Sequence, residues 1–388
     1  MKSTFITTNQ KNLFMLLSLV LSLRLIAIPA GQGNVIGNPF SKPVLPTNLV
    51  LVDDPFWKED AEEANKNQNH FKEPADELNF ADVAYVGAHN AHVYPRFFET
   101  VHQQDQTLIG MLSYGVRGLM IDAYDWNLSG PAAMRGPNSA TVCLSHGQPG
   151  AIAFSQKGHN SYQSLLYEMR RIFEWLRYNP QAIVTIAIEN YASAPKISEE
   201  IKKVVLAAGF DPILTTSNWP QANNNVDQVW PTLGWMRKNN KRLVIFTQWG
   251  DNTPYTWRQY THCIENQYST TNENELWKER EESAKLSQIY TAATDPRKIV
   301  IINNFDGLAV TQPTSNTRNQ VSLATVERLA ALCKNKGFAH GRPFNGYYAD
   351  RIVDSCNDLI ENKLLDVFTY VNMANDKAAT AAKAAPKK

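Results

Sequence analysis

The sequence predicts an α/β fold of the TIM type, a (β/α)8 barrel that is either regular or made irregular by loop insertions. Short apolar runs alternate with amphipathic segments along most of the chain, which is typical of a parallel sheet covered by helices. Several of these runs end in a polar, titratable side chain, at the place where parallel barrels carry their active sites. The 388 residues are enough for one barrel of about 250 residues plus insertions.

Four apolar runs in the first half of the chain are the basis of this prediction, and they span residues 83–86, 115–122, 141–147 and 182–191. The polar residues at or just beyond their ends are, in chain order, His89 with Asn90, Asp122, His146 and Glu189. Side chains of a strand alternate between its two faces, so Thr185 and Ala187 share a face with Glu189. Small residues toward the barrel interior would place Glu189 over the barrel mouth, where His89 and His146 could face each other.

The other elements follow from the same periodicities. Apolar runs predict further strands at residues 242–247, 298–304 and 344–349. Helical spacing predicts helices at residues 60–65, 102–114, 161–178, 197–208, 273–285, 321–333 and 354–365. Gly115 is expected to cap the second of these helices at its C-terminal end.

The two ends of the chain are predicted to lie outside the barrel. Lys2 and Lys11, an apolar run over residues 13–28 and the small residues that follow have the pattern of a secretory signal, so we expect a secreted or extracytoplasmic protein. A retained membrane anchor is the alternative, and Arg24 within the run argues against it. The expected organisation is a signal peptide at residues 1–30, an extended leader at 31–78, the barrel at 79–376 and a disordered Ala/Lys tail at 377–388.

Composition and charge argue against several function classes. The formal net charge is +1, so bulk electrostatics suggest neither nucleic acid nor strong attraction to an anionic membrane. The four cysteines, Cys143, Cys263, Cys333 and Cys356, lack the Cys-x-x-Cys spacing of zinc sites. An oxidising compartment would allow disulfides, of which Cys333 with Cys356 is the more local, while Cys143 could equally be a buried thiol.

Four motifs occur in order within the apolar runs: Gly87-Ala-His-Asn90, Gly115-Val-Arg-Gly-Leu-Met-Ile-Asp122, Leu144-Ser-His-Gly147 and the segment 179–191. Together they resemble the X-domain signature of phosphatidylinositol-specific phospholipase C, in particular the secreted, single-domain phospholipase C-like phosphodiesterases. The resemblance is strong from Val83 to Tyr191, thinner over residues 242–246 and 265–268, and weak over 344–350. One motif alone would be poor evidence, whereas the ordered set of four is specific.

The resemblance implies that two histidines cleave a phosphodiester. Two imidazoles with pKa values near neutrality suit this reaction, because one can accept a proton while the other donates one. We assign His89 as the base on the attacking inositol hydroxyl and His146 as the acid on the departing lipid alkoxide, which would give a cyclic inositol phosphate and diacylglycerol. Asp350 weakly matches the aspartate that orients the first histidine in the metal-independent members; a solvated carboxylate at a strand end is the alternative. The remaining histidines are interpreted as surface or core residues.

The resemblance also implies a cation site. Asn90, Asp122 and Glu189 match the positions that carry calcium in the metal-dependent members, and they supply the hard oxygen ligands that Ca²⁺ requires. Met120 stands where those members place a further carboxylate, so we expect a weak Ca²⁺ site. The metal-independent members have an arginine where this chain has Asp122. Arg117 is expected either to contact the substrate phosphate or to form a structural ion pair at the lower face of the barrel.

We therefore expect a secreted phosphodiesterase of the phospholipase C type that acts on an inositol phospholipid or a related phosphodiester. Its expected partners are this substrate and, transiently, a membrane surface, without nucleic acid, and the chain is expected to be a monomer. Two alternatives stay open. A glycerophosphodiester phosphodiesterase would need a pair of glutamates soon after the first histidine, which residues 93–95 do not supply. A catalytically inactive barrel that binds an inositol or glycan headgroup is favoured by Met120 and disfavoured by His89 and His146.

Overall fold

A parallel β-sheet runs through the part of the chain that the computed structural model describes, namely residues 44–47, 56–96, 102–125, 141–146, 164–219, 230–266, 299–305, 320–335 and 344–385. The chain divides into residues 1–38 and 39–388, and every described residue lies in the second unit. The predicted signal peptide at residues 1–30 and the predicted helix at 273–285 lie outside the described residues. None of the described helices is long and apolar enough to cross a membrane.

The described strands are, in chain order, β1 Tyr85–Ala88, β2 Gly118–Asp125, β3 Val142–Leu144, β4 Val184–Asn190, β5 Leu243–Thr247, β6 Trp257–Arg258, β7 Cys263–Glu265, β8 Ile299–Asn303 and β9 Gly346–Ala349. Across the sheet their order is β6-β5-β4-β2-β1-β9-β8-β7, and every neighbouring pair on this path is parallel. β3 lies off the path and pairs with β2 in the antiparallel direction.

The described helices are, in chain order, α1 Trp57–Lys66, α2 Leu108–Tyr114, α3 Leu165–Tyr178, α4 Ala194–Ala208, α5 Leu233–Lys238, α6 Gln259–His262, α7 Leu323–Asn335, α8 Ile352–Glu361 and α9 Val367–Ala384. The side chains of Thr107 and Ser164 cap α2 and α3 by accepting bonds from backbone N–H groups of the first turn. Gly115 ends α2 with a φ of 129°, a conformation that glycine adopts readily, and the predicted cap is confirmed.

The parallel strands with helices between most of them confirm the predicted α/β fold of the barrel type. The predicted strands at residues 242–247, 298–304 and 344–349 are β5, β8 and β9, with ends shifted by two residues at most. α6 connects β6 to β7, the two ends of the strand path. Within the described ranges no backbone ladder joins β6 to β7, so the barrel is irregular.

One expectation about the outer parts of the chain is confirmed and one is wrong. The short helix predicted at residues 60–65 is α1, in which Trp57, Ala61 and Ala64 recur at helical spacing and are all buried, so the leader is not extended throughout. The tail predicted as disordered is helical over residues 377–384, where α9 continues to Ala384. Alanine has the highest helix propensity, and this composition therefore extends the helix rather than ending it.

Of the disulfides that an oxidising compartment would allow, the more local one between Cys333 and Cys356 is not formed, because Cys356 is a buried free thiol. Cys143 and Cys263 are likewise buried and free. For Cys143 this agrees with the alternative of a buried thiol within a strand.

The barrel interior below the mouth is filled by two tyrosines. Gly87 is in register with Gly118 on one side and with Tyr348 on the other. A Cβ atom on Gly87 would lie 2.5 Å from the Tyr348 ring, and one on Gly118 would lie 2.7 Å from the Tyr348 hydroxyl and from the Tyr85 ring. Glycine at both positions makes room for these rings. Polar side chains at the strand ends therefore stand above a closed floor.

Candidate active site

The residues that follow β1 and β9 form a buried histidine–aspartate pair at the mouth. Ala88 and Ala349 are partners in the parallel register, so His89 and Asp350 emerge side by side. His89 Nδ1 lies 2.8 Å from Asp350 Oδ1, and the His89 ring stacks on Phe305 with ring centroids 3.5 Å apart. These contacts fix the imidazole and engage Nδ1, which leaves Nε2 as the nitrogen for proton exchange with a substrate. The structure thus places Asp350 where an orienting carboxylate is expected.

His146 reaches the same edge of the sheet from the opposite direction. The third apolar run was expected as a parallel strand, and this is wrong, because β3 is antiparallel to β2. β3 begins beside Asp125 and runs back toward the mouth, where Ser145 N lies 3.4 Å from Asp122 O. His146 Nδ1 then lies 3.1 Å from Asn90 Nδ2, which joins the two histidine segments through one amide.

The surroundings of His146 favour the neutral imidazole. Burial lowers its pKa below the usual histidine value, and repulsion by His89 acts in the same direction. Asp350 and Glu189 act in the opposite direction, without reversing the shift. An anionic phosphodiester close to His146 would favour the protonated ring, because an opposite charge raises the pKa of a histidine.

A third histidine, His92, lies in the same cluster and is fully buried. Burial and the neighbouring His146 lower the pKa of His92 to about 3, so this ring is neutral at ordinary pH. It is hydrogen-bonded to the backbone of Ser145, next to His146. This agrees with the interpretation of His92 as a core residue, here one that packs against the His146 segment.

Two carboxylates lie side by side at the ends of β2 and β4. Asp122 and Glu189 are partners in the register and share the face of Gly118 and Thr185. Burial and the charge of Glu189 raise the pKa of Asp122 well above its ordinary value. Among the described residues no donor reaches the buried Asp122 Oδ1, whereas a carboxylate oxygen of Glu189 accepts a bond of 2.6 Å from the Tyr191 hydroxyl. A cation would relieve this repulsion.

The described residues fit Ca²⁺ in part. Ala91 N donates to Met120 O at 2.7 Å, which lays the Asn90 segment beside β2. Met120 is buried, and its thioether is not a hard ligand. Among the residues described, no group of three or more His, Cys, Asp or Glu side chains is arranged to hold a metal ion. Two carboxylates and one amide are what this edge offers, against the about six to eight oxygens that Ca²⁺ prefers.

Arg117 lies at the opposite end of β2, so its predicted contact with the substrate phosphate is wrong. Its Nε and Nη2 donate to Glu73 at 2.9 and 2.6 Å, and its Nη1 donates to Leu112 O at 2.8 Å. The guanidinium also lies 5.3 Å from the centre of the Trp175 ring. These contacts agree with the alternative of a structural ion pair at the lower face. Arg117 directly precedes β2, and the start of a strand lies at the end of the barrel opposite the mouth.

Gln248 is a mouth residue that the sequence analysis missed. Its backbone N–H donates to Ile188 O at 3.1 Å, which extends the β4–β5 register by one residue and sets Gln248 beside Glu189. The side chain is buried, and neither of its amide atoms has a hydrogen-bond partner among the described residues. Gln248 directly follows the apolar run 242–247, and the rule that identified Glu189 would therefore have found it.

Aromatic rings form a partly exposed rim above the two carboxylates. Tyr191 stacks on Tyr124 with ring centroids 4.3 Å apart, and its centroid lies 5.7 Å from that of Trp249. Tyr191 is 50% exposed and Trp249 is 36% exposed. The Asn190 side chain bonds both the N–H and the C=O of Trp249, at 2.9 and 3.1 Å, which holds the ends of β4 and β5 together.

Comparisons with known proteins confirm the resemblance that the motifs predict. The family model of the PI-PLC X domain matches residues 152–340. A PI-PLC X domain-containing protein of Arabidopsis thaliana is 30% identical over 175 residues, which cover 43% of this chain and 35% of that protein. The chain therefore spans about a third of the length of that relative. The residues matched by the family model begin after His89, Asp122 and His146, so this match does not itself include them.

Two solved structures are similar to this chain at low sequence identity. The phosphatidylinositol-specific phospholipase C of Listeria monocytogenes is 13% identical, with coverage of 76% of this chain and 97% of that one and a TM-score of 0.45. A pentafluoro-Phe form of the Staphylococcus aureus enzyme is 11% identical, with coverage of 78% and 95% and a TM-score of 0.45.

Proposed function

We propose that this chain, which resembles PI-PLC X domains over residues 152–340, is a phosphodiesterase of the phospholipase C type that uses His89 and His146 as an acid–base pair. The observation that carries the proposal is the buried His89–Asp350 pair, which stands with His146 at the C-terminal edge of a parallel sheet. Active sites of parallel barrels lie at this edge. The proposed substrate class is an inositol phospholipid or a related phosphodiester.

In the proposed reaction His89 is the base and His146 the acid. Asp350 accepts the Nδ1 proton of His89, which keeps Nε2 basic and stabilises the imidazolium once a proton has been taken. The hydroxyl that loses this proton attacks the neighbouring phosphorus, and the bond to the lipid oxygen breaks as His146 protonates that oxygen. The products are a cyclic phosphate and an alcohol. The attack is intramolecular, so proximity supplies much of the rate.

Gln248 supports a polyol headgroup as the part of the substrate that enters the mouth. Its amide has N–H donors and an acceptor oxygen, and a hydroxyl group can accept from the former or donate to the latter. Glu189 stands next to it, and a carboxylate accepts hydrogen bonds from hydroxyls as well. We propose that these two side chains bind hydroxyls of an inositol-like ring beside the reacting phosphodiester.

We also propose that the mouth binds Ca²⁺ weakly through Asp122, Glu189 and Asn90. Asp122 Oδ1 has no donor in the described part of the chain, and burial together with the neighbouring Glu189 raises the pKa of Asp122; both observations support this assignment. When bound, Ca²⁺ would supply positive charge for the phosphate oxygens. With Met120 in place of a further carboxylate, substrate and water oxygens are needed to complete the shell, so affinity should rise when substrate is present.

Export and a transient lipid contact complete the proposal. The basic and apolar pattern of residues 1–30 supports secretion to an extracytoplasmic site, where we propose that the chain acts as a monomer. Tyr191 and Trp249 are amphipathic side chains of the kind that lie at membrane–water interfaces, and they stand next to the proposed site. We propose that this rim touches the lipid surface while a headgroup occupies the mouth.

A second candidate is a non-catalytic barrel that holds an inositol or glycan headgroup. The observation that favours it is Met120, because a thioether replaces an oxygen ligand next to Asp122. The two candidates differ in turnover, and the presence of the His89–Asp350 pair favours the enzyme.

The test is a panel of free and glycosylated inositol lipids, assayed for products with EDTA and with Ca²⁺. The enzyme proposal expects turnover of at least one lipid by the wild type and its loss in His89→Asn. His70→Asn is a matched control, since His70 is a half-buried histidine that packs against α2 and α9 at 4.5 Å from Tyr114. Saturable headgroup binding with no turnover of any lipid would select the second candidate.

A further inference from the structure

Two consecutive glutamines, Gln103 and Gln104, are buried between the two segments that carry the candidate catalytic residues. They lie between β1 and α2, and their exposed fractions are 4% and 0%. The backbone N–H groups of both donate to Val93 O, at 2.9 and 3.0 Å. These two hydrogen bonds to one carbonyl oxygen fix the pair against the segment that follows Asn90.

Gln104 joins the ends of β1 and β9 through its side chain. Its Nε2 donates to His89 O at 2.7 Å and to Ala349 O at 3.1 Å. An amide nitrogen carries two protons, so it can serve both carbonyls at once. The bond from His89 N to Ala349 O, at 3.0 Å, is where the backbone ladder between the two strands ends. Beyond that point the backbone no longer joins the two strands, and the Gln104 side chain instead holds His89 beside Asp350.

Gln103 reaches the other histidine and the residue after Asp350. Its Oε1 accepts from Asn90 Nδ2, and the same nitrogen lies 3.1 Å from His146 Nδ1. Its backbone carbonyl accepts from Arg351 N at 2.9 Å. The glutamine pair is thus bonded to both histidine segments and to the segment of the aspartate.

We propose that the Gln103–Gln104 pair is a positioning element that sets the placement of His89 and His146 relative to each other. The proposal rests on the proposed function, since it concerns two histidines that act in one displacement. Neither glutamine needs to touch substrate: Gln104 acts through His89 and its bond to Asp350, and Gln103 acts through Asn90 and His146. A misplacement of about 1 Å in a catalytic group can cost about 10²-fold in rate.

Methionine variants remove the hydrogen bonds while keeping the length of the side chain. Gln104→Met should lower kcat by about 10²-fold and change KM little, because the headgroup contacts are retained. Gln103→Met should also lower kcat. Gln106→Met is the matched control: Gln106 lies in the same segment and bonds Asn67, the residue after α1, at 2.5 and 3.3 Å, away from the mouth. The control should keep the wild-type kcat.

A double-mutant cycle separates positioning from a general loss of stability. If Gln104 acts through the His89–Asp350 bond, then Gln104→Met should cost much less in an Asp350→Asn background than in the wild type. Equal losses in both backgrounds, or a wild-type kcat in Gln104→Met, would overturn the proposal. If Gln104→Met does not fold, the test rests on Gln103→Met, and an unchanged kcat in that variant would overturn the proposal.

A spectroscopic arm works without any turnover. The proton that His89 Nδ1 shares with Asp350 should give a downfield ¹H NMR signal in the wild type and in Gln106→Met, and this signal should broaden or vanish in Gln104→Met. If the wild type cleaves no lipid, the proposed function fails while this signal still tests the positioning role. An unchanged signal in Gln104→Met would contradict that role even in an active enzyme.

Discussion

At the N-terminal ends of the strands the largely buried arginines have partners, whereas at the C-terminal ends two buried aspartates each have one oxygen without a donor among the described residues. Arg117 bonds Glu73, and Arg237 bonds Asp76. Arg242 donates to backbone carbonyls, including Leu176 O at 3.0 Å. Burial lowers the pKa of Arg242 to about 10, with Glu73 acting in the opposite direction. The lower end thus carries positive charge that the fold compensates.

The mouth has the opposite arrangement. Asp122 Oδ1 and Asp350 Oδ2 are buried without hydrogen-bond donors among the described residues. Asp122 also faces Glu189, which together with burial raises its pKa. Buried carboxylates of this kind cost folding free energy unless a proton, a cation or a ligand compensates them. The contrast indicates that the lower end stabilises the fold, while the mouth retains groups for chemistry.

The largest expected effect is on activity at the mouth. His89→Ala or His146→Ala should each lower turnover by about 10²–10⁴-fold, because each removes a proton transfer from the same displacement. His146→Ala should leave the thermal midpoint close to wild type, whereas His89→Ala should also lower it, because it removes the partner of the buried Asp350 carboxylate. Steady-state kinetics and calorimetry on the same preparations check both halves. A variant within a few-fold of wild type on the true substrate would disprove its acid–base role.

At the lower end the expected effect is on stability. Arg117→Met should lower the free energy of unfolding by about 3 kcal/mol, since it leaves Glu73 and the Leu112 carbonyl without their main donor. Denaturant titration measures the loss. The activity per folded molecule should be unchanged, because Arg117 does not reach the mouth. A large fall in kcat at unchanged stability would contradict the structural role and support a contact between Arg117 and the substrate phosphate.

A smaller effect is expected at the proposed cation site. Chelation should abolish activity and Ca²⁺ should restore it. Glu189→Gln should raise the Ca²⁺ needed for half-maximal activity by about 10–100-fold, because it removes one of two adjacent negative charges. Activity titrations at fixed substrate measure the shift. Full activity after exhaustive chelation would move this chain to a metal-independent mechanism.

The smallest effect concerns Asp105, a buried carboxylate that is not one of the proposed site residues. Burial and Asp354 raise the pKa of Asp105 to about 7; Tyr114 and Cys356 also lie in its electrostatic environment. The folded pKa exceeds the unfolded one of about 3.9, so this contribution to stability is fully present below about pH 4 and is lost as the pH rises through about 7. Asp105→Asn should therefore raise stability at pH 8, on the order of 1 kcal/mol.

Unfolding midpoints from pH 4 to pH 8 check this prediction for Asp105→Asn. Asp251→Asn is the control, since the Asp251 side chain is 97% exposed. Turnover should not change in either variant, which would separate the buried carboxylates that serve the mouth from one that does not. A pH dependence in Asp105→Asn identical to wild type would contradict the assignment.

Much of the sheet could be predicted because its strands are short apolar runs with a polar residue at the end. His89, Asp122 and Glu189 follow this rule, and the structure brings them to one edge. The direction of β3 could not be predicted. This strand has only three residues, and so short an apolar run shows no feature that separates parallel from antiparallel pairing. His146 nevertheless reaches the mouth, since a strand that starts above the edge and runs down arrives at the same place.

The rest of the site depends on contacts between distant segments. Gln103 and Gln104 fall within the helix predicted at residues 102–114, whereas α2 begins only at Leu108. Their partners include Ala349 and Arg351, about 250 residues away, which no local pattern indicates. Arg117 was assigned two roles because sequence position at a strand start does not reveal a partner such as Glu73. Local patterns fix the ends of strands, but they do not show which loops meet above them.

The central claim is that the mouth cleaves a phosphodiester through its two histidines. The most direct measurement is ³¹P NMR of products formed from phosphatidylinositol with Ca²⁺ present. The account predicts a cyclic inositol phosphate signal with the wild type and with Arg117→Met, and no such signal with His89→Ala or His146→Ala. A wild-type protein that binds the headgroup saturably and forms no phosphorus product, or a histidine variant that forms the product at the wild-type rate, would contradict it.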